Sequence, residues 1–283
     1  MSLSAQPLCR FQNTDLFVLP TLKDNYTYLL RTPSELWVID PGESPAVLDW
    51  CQQNQISITH ILCTHHHHDH VDGVPALKQK FQAQVFCSDY DLSRIAGADI
   101  GLRGQATLQV AGLKAQTIAI PGHTFGHMAL YLPEPGWIFC GDTLFAMGCG
   151  RLLEGTAMQM WDSLQRLASL PSNTQFFWGH EYAVRNSLFA LQVEPQNQDL
   201  AKRAQRVESQ SAQLALRQTT TLPGLLAEEL KTNPFLRCDQ PTMAADLGLP
   251  ASTSPLEVFT LLRQRRNEFS FLNHTNGSPM GLS

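Results

Sequence analysis

The sequence predicts an α+β fold in two unequal parts, strand-rich over residues 1–180 and helical over 181–283. Short, almost wholly apolar runs recur as far as His180, and such runs read as strands buried on both faces. Beyond them the strand signal stops, and longer helical stretches alternate with proline and glycine. A chain of 283 residues exceeds one typical core, so one large or two unequal domains are expected.

The elements follow in order. Leu36-Trp37-Val38-Ile39 is a strand closed by Asp40-Pro41-Gly42, where Asp40 either forms the turn or orients a ligand. A helix near 46–53 precedes the strand Ile58-Thr59-His60-Ile61-Leu62-Cys63. Residues 73–81 form a helix with Val74, Leu77 and Phe81 on one apolar face and Asp72 as its N-cap. Apolar runs at 117–120, 128–132 and 137–140 give strands, 156–170 a helix, and Phe176-Phe177-Trp178 the last strand. Helices are expected at 188–192, 200–218, 222–230 and 255–269, with a frayed tail from Asn273.

The chemistry concentrates in Thr64-His65-His66-His67-His68-Asp69-His70, directly after the strand at 58–63. A strand fixes the origin of such a loop, and the irregular backbone lets non-adjacent side chains converge. A histidine run is often an expression tag, but tags sit at termini and this one is internal. A loose metal-binding tract is the other plain reading, and it requires neither the inserted Asp69 nor a strand leading in. Three further apolar runs each end in glycine and a potential ligand: Gly122-His123, Gly141-Asp142 and Gly179-His180. Glycine there permits a sharp turn or close approach. One layout repeated four times implies a single sheet edge aiming every ligand at one place. Imidazole and carboxylate together suit zinc, iron or manganese better than calcium or magnesium.

Thr64 to His70 matches the THxHxDH signature of the metallo-β-lactamase fold, and 121–127 and 141–145 resemble that superfamily's second and third motifs. Leu22-Lys23-Asp24-Asn25-Tyr26, Gly148-Cys149-Gly150-Arg151, Glu154-Gly155-Thr156, Gly179-His180-Glu181-Tyr182 and Val193-Glu194-Pro195 narrow the resemblance to glyoxalase II, the hydroxyacylglutathione hydrolases, over nearly the whole chain to about Phe269. That resemblance implies a four-layer αββα sandwich with a C-terminal helical domain. It implies two divalent ions, zinc first with iron or manganese as alternatives. His65, His67 and His123 would hold one ion, Asp69, His70 and His180 the other, and Asp142 would bridge them. It implies hydrolysis of S-D-lactoylglutathione, with Asp69 and Asp142 in the catalytic centre. Arg151, Tyr182, Arg263 and Arg266 would contact the glutathione thioester. Arg263 and Arg266, spaced i, i+3, share a helical face and can grip one anion. A solvated helix C-terminus is the plain reading of the same arginines. Leu153 replaces an aromatic residue frequent in relatives, and Asp72 stands where many carry glycine. His66 and His68 fall at variable positions and read as spectators, structural or solvent-facing. His127 reads as a hydrogen-bonded core residue, and His60 and His274 need no catalytic account.

A net charge of −5 argues against a nucleic-acid groove and supplies no polybasic membrane patch. No apolar run reaches the roughly 18 residues of a membrane span, and the first dozen residues lack the pattern of a secretion signal. The 7 cysteines contain no CxxC pair, so reduced core thiols, a cytoplasmic location and a monomer are expected. Two enzymes of the same fold are rivals: a one-iron persulfide dioxygenase, which generally lacks the helical C-terminus, and a hydrolase of lactams or lactones. A non-enzymatic metal-binding protein is the remaining class.

Overall fold

A computed structural model describes residues 5–269, so the expected tail and His274 lie outside the described residues. The first sheet runs in chain order through β1 (Cys9–Phe11), β2 (Thr14–Thr21), β3 (Asn25–Arg31), β4 (Leu36–Ile39), β5 (His60–Leu62), β6 (Gln84–Ser88) and β7 (Ile100–Leu102). Pairing is antiparallel as far as β4 and parallel from β4 to β7. Parallel neighbours need crossovers. Helix α1 (Pro45–Asn54) supplies the one between β4 and β5, and α2 (His68–Val71) with α3 (Val74–Phe81) the one between β5 and β6.

The second sheet holds β8 (Thr107–Val110), β9 (Leu113–Ala119), β10 (Met128–Leu132) and β11 (Trp137–Gly141). A small ribbon, β12 (Leu144–Phe145) with β13 (Gly148–Cys149), follows, and then α4 (Ala157–Ala168). The sheet is completed by β14 (Gln175–Trp178), parallel to β11, and by β15 (Gly224–Leu225). Period-two alternation sorts the first sheet's side chains. Phe17, Leu19, Leu29 and Val38 meet α1 and α3 through Val47, Trp50, Val74 and Leu77. Leu16, Val18, Tyr28 and Leu30 face the second sheet, where Tyr28 sits edge-on to Phe139 at 5.2 Å and to Phe177 at 5.7 Å. Helix α4 starts at a capping box between Thr156 and Gln159, worth about 1 kcal/mol. It buries Met160, Leu164 and Leu167, and Ser163 and Arg166 donate to the backbone at Pro121 and Ala119. Helix, sheet, sheet and helix make the expected four layers.

The helical part comprises α5 (Ala183–Val193), α6 (Gln198–Ser209), α7 (Ser211–Ala215), α8 (Leu226–Thr232), α9 (Pro241–Asp246) and α10 (Pro255–Glu268). Several expectations are corrected here. Strands do not end at His180, because Gly224 and Leu225 pair with Phe176 and Gln175 as β15. Gly224 is required there, since a Cβ would sit 2.2 Å from a Trp178 ring carbon. That strand delays the helix expected at 222–230 until Leu226. The helix expected over 200–218 breaks at Gln210, because the buried stripe Leu200, Arg203, Ala204, Val207 meets polar Gln210 and Ser211. The short α9 was not expected at all.

Asp72 is not the N-cap of α3. The metal-motif loop winds into α2, which carries Asp72 into helical backbone (φ −63°, ψ −20°), and its carboxylate pairs with His68 instead. Side-chain capping needs extended backbone, which neither Asp72 nor Gly73 (φ −75°, ψ −21°) has, so α3 starts without a side-chain cap. The single sheet edge is likewise replaced by two. β5 belongs to the first sheet, whereas β9, β11 and β14 belong to the second, so the candidate ligands converge from facing sheets.

Candidate metal centre and the cleft beside it

Three imidazoles meet first. His67 Nδ1 lies 3.1 Å from His65 Nε2 and 3.0 Å from His123 Nε2. One nitrogen cannot donate to both neighbours, so lone pairs crowd a common point that a cation would satisfy. Burial and then neighbouring His123 push His67 down to about 4, and burial above all holds His65 well below the usual histidine range. Lowered in this way, His65 and His67 favour the neutral form, as metal ligation requires. The far nitrogens of His65 and His123 are already committed. His65 Nδ1 is 3.1 Å from the Thr64 hydroxyl, and His123 Nδ1 is 2.9 Å from the Arg151 carbonyl.

A second group lies alongside. His180 Nε2 is 3.2 Å from Asp69 Oδ2 and 3.4 Å from His70 Nε2. Asp142 stands between the groups, with Oδ2 3.3 Å from His180 Nε2 and 3.5 Å from His123 Nε2, and Oδ1 3.3 Å from His70 Nε2. That buried Oδ1 has no hydrogen-bond partner. Burial disfavours charge on His70, but Asp142 and Asp40 outweigh it and push its pKa up to about 10; His180 is raised against burial by Asp142, Asp24 and Asp69. Asp69 and Asp142 are held below the usual carboxylate range despite burial, by His180 and His70. The acids thus demand positive charge at their centre. Both triads have donor atoms within 4.8 Å of one another, a geometry that fits divalent metal.

Glycines make room for this convergence. A Cβ on Gly179 would sit 2.3 Å from Asp142 Oδ1, and one on Gly150 would sit 1.9 Å from the Asp142 carbonyl. Asp40 takes both roles open to it: it turns the chain at φ 52° and its Oδ2 lies 3.0 Å from His70 Nδ1. His127 Nε2 accepts from the Asp142 amide, as a core histidine would, and His60 stacks on Trp37 at 4.1 Å.

A cleft of about 410 Å³ opens from His123 and Asp142 toward the helical part. Arg151, Tyr182, Arg263 and Arg266 all line it, together with Arg185 and Asn186. Burial above all, then neighbouring Arg263, Arg151 and Arg185, push Arg266 down to about 10. Arg266 donates to Asn186 Oδ1 at 3.1 Å. Arg263 lies on the buried face of α10, where it donates to the carbonyls of Cys149 and Gly150. Its Nε has no partner. Tyr182 stacks on His180 with centroids 4.8 Å apart.

Residues 20–180 match the family model of the metallo-beta-lactamase superfamily, and residues 181–269 that of the hydroxyacylglutathione hydrolase C-terminus. A hydroxyacylglutathione hydrolase of Methylococcus capsulatus is 41% identical, over 90% of this chain and 98% of its own. One of a Synechococcus species is 44% identical, over 89% and 98%. The chain belongs to the hydroxyacylglutathione hydrolase family. Its fold is the metallo-β-lactamase fold. The structure of the BLEG-1 B3 metallo-beta-lactamase aligns with a TM-score of 0.59 at 22% identity, covering 78% of this chain and 99% of that one, a likeness of fold alone.

Within this family member, sequence reasoning overlooked the residues that hold the ligands from behind. Asp24 Oδ1 lies 2.7 Å from His180 Nδ1, and Asn25 Nδ2 donates to Asp69 Oδ2 at 2.9 Å. The signal was the stretch Leu22 to Tyr26, which carried part of the family resemblance without any role being given to Asp24 or Asn25. His68 is a solvent-facing spectator, and His66 a structural one. It accepts from Arg94, lies 3.4 Å from Asp91, and through Arg94 joins Glu154, which receives the Phe125 amide beside His123. Among the described residues all cysteines are free and no helix is long and apolar enough to cross a membrane.

Proposed function

We propose that this chain hydrolyses S-(2-hydroxyacyl)glutathione, with S-D-lactoylglutathione as the substrate, to glutathione and D-lactate, the second step of methylglyoxal detoxification. The observation that carries the reading is one cleft in which His123 and Asp142 face Arg151, Arg185, Arg263 and Arg266. Crowded guanidinium groups call for an anionic ligand, and glutathione brings two carboxylates. Two divalent ions are assigned, zinc first with iron or manganese as alternatives. His65, His67 and His123 would hold one and Asp69, His70 and His180 the other, with Asp142 beside both groups.

Bound metal supplies Lewis acidity, which makes water nucleophilic at neutral pH and polarises a carbonyl. The protein's own work is placement. Arg266 and Arg151 bind the carboxylates of the glutathione moiety, which directs the thioester toward Asp142. Tyr182 and Phe145 wall that end of the cleft. Asp40, Asp24 and the Arg151 carbonyl fix His70, His180 and His123 through their far nitrogens. A thiol pKa of about 8.5 makes thiolate a competent leaving group, so no side chain has to donate a proton to it.

In this reading residues 1–180 form the catalytic unit and 181–283 supply the substrate arm. The enzyme acts as a cytoplasmic monomer on a small molecule, with no role for nucleic acid or membrane. The test is thiol release from S-D-lactoylglutathione by metal-loaded protein, alongside elemental analysis. Steady release with two ions per chain supports the proposal; no release, or a single ion, overturns it.

A further inference from the structure

We infer that Arg217, contributed by the helical part, is a positioning residue for the second metal group, acting through the turn that carries Asp24 and Asn25. This rests on the assignment of Asp69, His70 and His180 to the second ion. The turn between β2 and β3 holds both residues behind that group, since Asp24 meets His180 and Asn25 meets Asp69. Backbone bonds tie one side of it to the His180 segment: Tyr26 donates to the Gly179 carbonyl at 2.8 Å, and Glu181 to that of Asp24 at 2.9 Å.

Arg217 holds the other side. Its guanidinium donates to the carbonyls of Lys23 at 2.8 Å, Asn25 at 2.5 Å and Thr21 at 3.5 Å. It also lies 5.1 Å from the centre of the Tyr26 ring. Lys23 lies in the turn just beyond the last ladder pair, Thr21 and Asn25, and a planar fork of donors gathers the three carbonyls. Lysine, a single point donor, cannot span them.

Gln218 donates to Gln213 and Arg217 to Leu214, which closes α7 with the six-to-one pattern whose left-handed residue is usually glycine. Arg217 occupies that place at φ 56°. A non-glycine residue there costs about 1 kcal/mol, as it does at Gln55 and Gln82, which close α1 and α3. Glu181 fixes the same junction, accepting from the Tyr26 hydroxyl and from the Thr221 amide, each at 2.9 Å. The helical part therefore reaches the metal group from behind as well as lining the cleft in front.

The experiment uses the full chain and zinc alone, with ion affinities measured by chelator competition. Arg217→Met is compared with Arg237→Met, which removes the ion pair to Glu194 elsewhere in the helical part. In R217M the weaker of the two zinc sites should lose about tenfold in affinity, while R237M lowers the melting temperature but keeps both affinities. R217K, which keeps a cation over Tyr26, should fall between R217M and wild type, and it carries the test alone if R217M does not accumulate. Unchanged zinc affinities in R217M, or in R217K where only it folds, overturn the inference, as does equal loss in R217M and R237M. Wild-type protein that binds one zinc overturns the two-ion assignment as well, a result visible before any variant is made.

Discussion

Asp40 Oδ2 sits 3.0 Å from Nδ1 of His70, and the same carboxylate receives the Thr64 amide and hydroxyl, each at 2.7 Å. One buried acid at the end of β4 thereby fixes both the start of the metal loop and the ring of a candidate ligand. The bond sets the tautomer and leaves Nε2 free toward Asp142. Replacing Asp40 by Ala removes that restraint and takes the acceptor from three donors, His70 Nδ1 and the Thr64 amide and hydroxyl. Zinc affinity should fall about 10- to 100-fold, measured by competition with a chelator. Wild-type affinity in D40A would show that His70 needs no support.

Gly179 makes a different demand. Its backbone conformation is ordinary, so what it supplies is space. A Cβ would lie 2.3 Å from Asp142 Oδ1 and 2.7 Å from His70 Cε1. Gly179→Ala should fold with a melting temperature near that of wild type yet retain little metal, because the methyl group intrudes on the groups that hold it. Elemental analysis after dialysis checks this; two ions retained in G179A would mean that His70 and Asp142 can part without cost.

Why was so much of the centre readable in advance? Each of His123, Asp142 and His180 follows an apolar run and a glycine, and period-two burial gives such runs one geometry. What resisted reading depends on partners distant in sequence. Asp24 and Asn25 look like any polar turn until His180 and Asp69 arrive beside them. Gly224 and Leu225 have no strand signal of their own, and only the edge of β14 makes them one. Asp72 has the chemistry of a cap, but the metal loop winds one turn further than the pattern suggested. Helix α10 shows the same limit, because the i, i+3 spacing put Arg263 and Arg266 on one face without revealing that Arg263 is buried.

That burial separates the two arginines. Arg266 is half-buried, donates to Asn186 Oδ1 and lies over the Phe189 and Phe269 rings, whereas Arg263 fastens the Cys149 and Gly150 carbonyls next to Asp142. Arg266→Ala should raise KM for the glutathione thioester about tenfold with little change in kcat, the mark of lost uniform binding. Arg263→Ala should lower kcat as well, and also the melting temperature, since it strands buried carbonyls. Steady-state kinetics of both variants decide this; identical effects would put the two side chains in one role.

Asp91 gives the clearest pH dependence away from the metal groups. Burial is the main cause, Glu154 adds to it, and Arg94 opposes, so its carboxyl is pushed up to about 6 from an ordinary value of 3.8. The raised value means that the fold favours the protonated acid. Its contribution is whole below about pH 4 and is lost as pH rises through about 6. The effect is on the order of 1–3 kcal/mol. Asp91→Asn stays neutral, so its stability relative to wild type should climb between pH 4 and pH 7. His66, Arg94 and Glu154 face the same site, and the difference between the two proteins cancels most of what they contribute on their own. Chemical denaturation of both proteins across that interval measures the slope. A flat difference would place Asp91 as a permanent anion paired with Arg94, and an opposite slope would mean that the pair stabilises the fold more than burial opposes it.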